Sequence, residues 1–178
     1  MCCALFSAHT CGHVLNVILG SNALALAEAQ KQAEALGYRA VVLSTAIQGD
    51  VKSVAQFYGL LARVAGAHLA LPGAGASVEE DERLCELAAD LQLPDLQLKE
   101  ALEAVVGARG PVCLLAGGEP TVRLQGSGKG GRNQELALRV GVVQSADDCF
   151  WMLVKTAKPL GPVPGSPPSS PQAWLCGL

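Results

Sequence analysis

Short, unbroken apolar runs alternate along this chain with longer segments of helical character. Residues 14–20 read VLNVILG, residues 40–45 AVVLST and residues 112–118 VCLLAGG. Runs of this length without polar alternation suit strands buried on both faces, as in a parallel sheet. Parallel strands need crossover connections, and the intervening segments supply them. Ser21-Asn22 offers a helix N-cap, ALALAEAQKQAEAL is strongly helix-forming, and Gly37 closes it as a C-cap. Gly49-Asp50 caps a second helix over about 51–66, where apolar residues recur at helical spacing. This β-α-β-α order is the unit of a doubly wound sheet. The expected fold class is α/β: a partial Rossmann-like doubly wound unit over 14–77, then part of a second α/β unit over 78–144.

Residues 67–78 are small and glycine-rich and read as a linker. Glu79 to Glu82 open an acidic helix over about 78–92, where carboxylates in the first turn favour the helix dipole. A further helix spans about 95–107, and Gly110-Pro111 breaks the chain before the third apolar run. EPTV then reads as a turn, TVRLQ as a fourth strand, and Arg132 to about Gln144 as a helix. From Pro159 to Pro171, six of thirteen residues are proline, which neither a helix nor a central strand accommodates. Residues 145–178 are therefore expected to form a divergent, poorly ordered tail.

Half of the 178 residues are hydrophobic and 16% are charged, the balance of a chain with a sizeable core. A net charge of −3 leaves no global basic footprint for nucleic acid. No apolar run reaches the roughly 18–20 residues of a membrane span. The first thirteen residues lack the basic region and long apolar stretch of a signal peptide and the arginines of a transit peptide. Seven cysteines without regular spacing read as reduced thiols of a cytoplasmic protein, with a mitochondrial one as the other reading. Cys3, His9, Cys11 and His13 have gaps that fit no zinc template, so no metal site is assigned and a frayed terminus is expected.

The chemistry concentrates in residues 114–135, LLAGGEPTVRLQGSGKGGRNQE. Six glycines, Gly117, Gly118, Gly126, Gly128, Gly130 and Gly131, lead into a helix. Glycine lets backbone N–H groups approach a ligand closely, and a helix start adds free donors and a positive dipole end. Lys129 and Arg132 bring two cations to the same place, and the combination suits phosphate or carboxylate. Arg132 offers a planar, bidentate grip; Lys129 is a point charge. Glu119, at the end of an apolar strand, reads either as the holder of a magnesium-bound water or substrate hydroxyl, or as a turn residue before Pro120. Asn133 and Glu135 fall in the first turn, where Glu135 reads by its position as a cap of backbone donors. Gly20-Ser21-Asn22 repeats the strand-end and helix-start pattern; it reads as a second anion site or as a plain cap. Asp50 reads first as an N-cap.

Three phosphate-loop templates can be laid on this stretch. Walker A fails, because Arg123 and Gly130 stand where it needs Gly and Ser or Thr. The dinucleotide pattern GxGxxG is met by Gly126, Gly128 and Gly131, but Asp147 and Asp148 come too early to supply its acidic partner. A protein-kinase loop would need HRD and DFG motifs, and neither occurs.

The runs Gly117 to Val122, GGEPTV, and Gly130 to Glu135, GGRNQE, together with residues 14–50, resemble the glycerate kinases of the MOFRL type. The resemblance spans about Val14 to Gly141, which leaves 1–13 as an extension outside the family. It implies that 14–77 is part of the N-terminal glycerate kinase domain and 78–144 part of the C-terminal MOFRL domain. It further implies ATP-dependent phosphorylation of D-glycerate with Mg2+, Arg132 as the best catalytic candidate and a cleft between the units at 14–66 and 111–144. The region where the family carries a catalytic lysine has no counterpart, since no lysine precedes Lys31, and the family's later Gly-Thr-Asp-Gly motif is missing. The chain is thus expected to be a truncated form. A catalytically silent anion-binding fragment and an NAD(P)-binding protein remain as alternatives, and the oligomeric state is open.

Overall fold

A computed structural model describes residues 17–70, 77–143, 150–154 and 173–177. Its elements are α1 (Asn22–Ala35), β1 (Arg39–Ile47), α2 (Val51–Ala70), α3 (Val78–Leu91), α4 (Leu98–Val106), β2 (Val112–Gly118), α5 (Arg132–Val143), β3 (Phe150–Val154) and β4 (Ala173–Gly177). The four strands form one parallel sheet in the order β1-β2-β4-β3. The α/β class expected from the apolar runs is what the chain adopts.

Neighbouring residues of a strand face opposite sides of a sheet, and each side here has its own cover. Leu43, Ile47, Val112, Leu114 and Ala116 join a large core with α2, α4 and α5, centred on Phe57, Leu61, Val64, Val105 and Leu136. Ala40, Cys113 and Leu115 face the other way and pack against Leu26 and Ala33 of α1. Burial on both faces explains why these strands read as unbroken apolar runs. Helix α5 is held close to α2: a methyl group on Gly59 would lie 2.7 Å from Val143 Cβ. That approach fixes the axis of the helix that begins at Arg132.

Four expectations are corrected. Residues 17–20 are not a strand; Val17, Ile18 and Leu19 are 63%, 79% and 93% exposed. Apolar composition suits a strand, but a strand also needs a ladder neighbour, and this segment has none among the described residues. TVRLQ contributes a single bridge, Thr121 to Asp50, and Leu124 stands out in solvent. The linker reading fails over 67–70, where α2 continues, because small residues do not stop a helix packed along its length. Two segments of the expected structureless tail, 150–154 and 173–177, are strands. In addition, β1 and β2 pair directly from Arg39–Val112 to Ile47–Gly118, so the units at 14–66 and 111–144 share a ladder and a core rather than facing across a cleft. The cysteine and histidine group at 3–13 lies outside the described residues.

Candidate functional site

In open α/β sheets, ligands gather beyond the carboxyl ends of the strands. Here three helix starts meet that edge or the loop leaving it. β1 ends at Ile47 and turns through Gly49 (φ 114°) into α2, a backbone conformation that favours glycine. Asp50 Oδ1 accepts the Lys52 N–H at 2.9 Å, which is the capping role read from the sequence. Thr121 ties the glycine-rich segment to this turn: its N–H donates to Gly49 O at 2.8 Å, and its carbonyl accepts from Val51 N at 2.9 Å.

β2 ends in Gly117 and Gly118, both closely approached, Gly117 by side chains and Gly118 by the backbone of β1. A methyl group on Gly117 would lie 3.1 Å from Leu26 Cδ1 and 3.2 Å from Asn22 Cβ. On Gly118 it would lie 2.0 Å from the Ile47 carbonyl oxygen. The start of α1 is therefore seated against the end of β2. Ser21 Oγ accepts the Leu24 N–H at 3.3 Å, so it caps α1, and Asn22 Nδ2 donates to Thr45 O at 3.1 Å.

Glu119 follows, its N–H donating to Ile47 O at 2.8 Å and its carboxylate projecting into solvent. There it pairs with Arg132 at 2.5 Å. This ion pair closes the base of a twelve-residue excursion, 120–131, that contains Gly126, Gly128, Gly130 and Gly131, all exposed. Lys129, Gly130, Gly131, Arg132, Asn133 and Gln134 line a hollow of about 480 Å³ at the start of α5. A second hollow of about 340 Å³ lies beside it, between the loop and Leu138. Glu135 is not used for capping; it accepts two hydrogen bonds from Arg139, at 2.9 and 2.8 Å.

This arrangement presents cations and glycine-rich backbone at the mouth of a helix, suited to an anion. A magnesium ion usually takes one or two carboxylates and completes its shell with water and phosphate oxygens. Among the described residues no group of three or more His, Cys, Asp or Glu is gathered for a metal. Glu119 stands at the right edge for the one-carboxylate kind of site, but its charge is shared with Arg132.

Sequence reasoning missed a polar cluster beneath this edge. Asp95, between α3 and α4, accepts from Ser44 Oγ at 2.6 Å, Thr45 N at 2.7 Å and Thr45 Oγ1 at 2.6 Å. Burial raises the Asp95 pKa, but the hydrogen bonds from Ser44 and Thr45 outweigh it and hold the carboxyl below its ordinary value. The available signal was Ser44-Thr45 in an otherwise apolar strand, since buried hydroxyls require partners.

Residues 112–157 match the MOFRL family. The chain is 98% identical to a glycerate kinase of Bos taurus over 134 residues, 75% of this chain and 26% of that protein. It is 72% identical to a glycerate kinase of Homo sapiens over 155 residues, 87% of this chain and 28% of that one. A glycerate 2-kinase of Pyrococcus horikoshii is 26% identical over 127 residues, 71% and 21% of the two chains. No solved structure matches. No helix among the described residues is long and apolar enough to cross a membrane. The matches extend across β1, β2 and the glycine loop: the chain carries the MOFRL match over 112–157, is similar to glycerate kinases over three quarters or more of its length, and spans about a quarter of the length of the curated relatives it matches.

Proposed function

We propose that this chain supplies the anion-holding edge of an ATP-dependent kinase that phosphorylates D-glycerate, with Mg2+ accompanying the nucleotide. The observation that carries the reading is Arg132 at the start of α5, facing a glycine-rich loop at the carboxyl edge of a parallel sheet. The names of the relatives support the substrate class. Phosphoryl transfer asks for positioned positive charge and little covalent chemistry. The Arg132 guanidinium would grip a phosphate or the glycerate carboxylate, and Lys129 would raise the local potential. The N–H groups of Gly126, Gly128, Gly130, Gly131 and Asn133 would follow the anion's oxygens, with the Gly117-Gly118 and Gly20-Ser21-Asn22 corner as the wall behind. Glu119 would hold a substrate hydroxyl or a metal-bound water once the anion has taken its place on Arg132. Bound MgATP supplies the phosphoryl group. We further propose that 14–77 and 78–144, read from the sequence as parts of two domains, act here as one unit.

The second reading is an anion-binding segment without turnover of its own. The ion pair with Glu119, which already engages the Arg132 guanidinium, favours it. Phosphorus NMR of the purified chain with MgATP and D-glycerate separates the two. Phosphoglycerate and ADP in equal amounts, lost in Arg132→Ala, support the kinase reading. Nucleotide binding without product supports the second. No binding at all overturns both.

A further inference from the structure

We propose that Asp95 is a positioning residue for this edge, holding the irregular end of β1 in the shape from which Asn22 and Glu119 are hung. The inference rests on the reading of the glycine-rich edge as a ligand site.

β1 and β2 run in regular register from Arg39–Val112 to Val42–Leu115. The register then breaks twice, between Val42 and Ser44 and between Ser44 and Ile47. Breaks of this kind re-aim the chain and free ladder groups, and they recur beside functional sites. The freed N–H groups must find partners, because buried unpaired donors are costly. Two of them are met by side chains. The Thr45 N–H donates to Asp95, and the Ala46 N–H donates to Ser44 Oγ at 3.0 Å. Asp95 receives the Ser44 and Thr45 hydroxyls as well, so one carboxylate organises the whole irregular stretch. The Gln97 N–H, donating to Leu43 O at 2.8 Å, seats the Asp95 loop on the strand.

Both neighbours of the site depend on that stretch. Thr45 O holds the Asn22 side chain, and Ile47 O holds the Glu119 N–H. Glu119 in turn holds Arg132. Asp95 is hydrogen-bonded to Ser44 and Thr45, so it acts through the backbone of 44–47. A merely structural anchor would change stability and leave these two hydrogen bonds alone; a positioning residue changes both.

The test compares Asp95→Ala and Asp95→Asn with Ser77→Ala, which removes a remote helix cap, in the isotope-labelled chain. Without ligand, Asp95→Ala is expected to shift the Asn22 side-chain amide and the Gly118 and Glu119 backbone amides. Asp95→Asn, which keeps one acceptor, shifts them less, and Ser77→Ala leaves them in place. With MgATP, Asp95→Ala is expected to weaken binding by about tenfold, equivalent to about 1.4 kcal/mol. If Asp95→Ala does not fold, the isosteric Asp95→Asn carries the same criteria. Unmoved Asn22 and Glu119 signals, or equal movement in Ser77→Ala, overturn the proposal. If the parent chain binds no MgATP, the ligand-site reading fails on its own, while the ligand-free shifts still decide whether Asp95 sets the geometry.

Discussion

Gly117 and Gly118 are adjacent, yet alanine should have very different consequences at the two positions. At Gly118 the new methyl group would sit 2.0 Å from Ile47 O and 2.5 Å from Ile47 N, against an ordinary contact of 3.4 Å or more. The obstacle is backbone, so β1 and β2 must separate by more than an ångström at their carboxyl ends. Separation breaks the hydrogen bond from the Glu119 N–H to Ile47 O, worth about 1 kcal/mol. Overpacking adds about 1–3 kcal/mol, for a total of about 2–4 kcal/mol. In a chain of this size each kcal/mol lowers the melting temperature by about 2–4 °C, so Gly118→Ala should melt about 5–15 °C lower. At Gly117 the neighbours are Leu26 Cδ1 and Asn22 Cβ, at 3.1 and 3.2 Å, and a few tenths of an ångström of side-chain movement relieves them. The smaller entropy of the unfolded alanine chain offsets about 0.4–1 kcal/mol, so Gly117→Ala should be near neutral. Thermal melts followed by far-ultraviolet circular dichroism measure both. A Gly118→Ala melt within about 1 °C of the parent, with the Glu119 amide signal unmoved, would refute the close approach of the two strand ends.

Ser77 Oγ accepts the Glu80 N–H at 3.2 Å as the cap of α3, so Ser77→Ala should cost about 1 kcal/mol in urea unfolding. Tyr58 is fully buried, which pushes its phenol well above the ordinary 10.0. The folded state therefore keeps a proton that the unfolded state loses, and this contribution to stability fades as pH rises above about 10; Tyr58 should ionise only as circular dichroism reports unfolding, and Tyr58→Phe should soften the alkaline transition. Asp95 has the opposite sign. Its carboxyl is held below 3.8, so its contribution is present above that pH and is lost as pH falls through the folded value; the urea midpoints of the parent and Asp95→Asn should differ at neutral pH and converge in acid.

Much of the fold was written in local pattern. α1 begins at Ser21-Asn22 and ends near Gly37 because a cap, a run of helix formers and a left-handed glycine agree there. β1 and β2 were legible because burial on both faces leaves an unbroken apolar run. The run at 14–20 carries the same signal but lacks a ladder partner over its described part, and pairing is a property of the whole sheet. TVRLQ failed for the same reason, with Thr121 alone finding a neighbour. The glycines, Lys129, Arg132 and Glu119 stand out by composition and spacing as candidates, whereas the ion pair that joins Glu119 to Arg132 needs the turn at Thr121 to exist first. Asp95 was invisible because its partners lie fifty and fifty-one residues away and no local rule connects them.

We propose that the edge formed by the glycine loop and Arg132 holds the phosphates of ATP. It is tested most directly by amide NMR of the labelled chain titrated with MgATP and, separately, with NADH. The expected result is saturable movement of Gly126, Gly128, Gly130, Gly131 and Arg132 with MgATP, abolished by Arg132→Ala, and none with NADH. A spectrum indifferent to MgATP, or one that responds at these glycines to NADH instead, would contradict it.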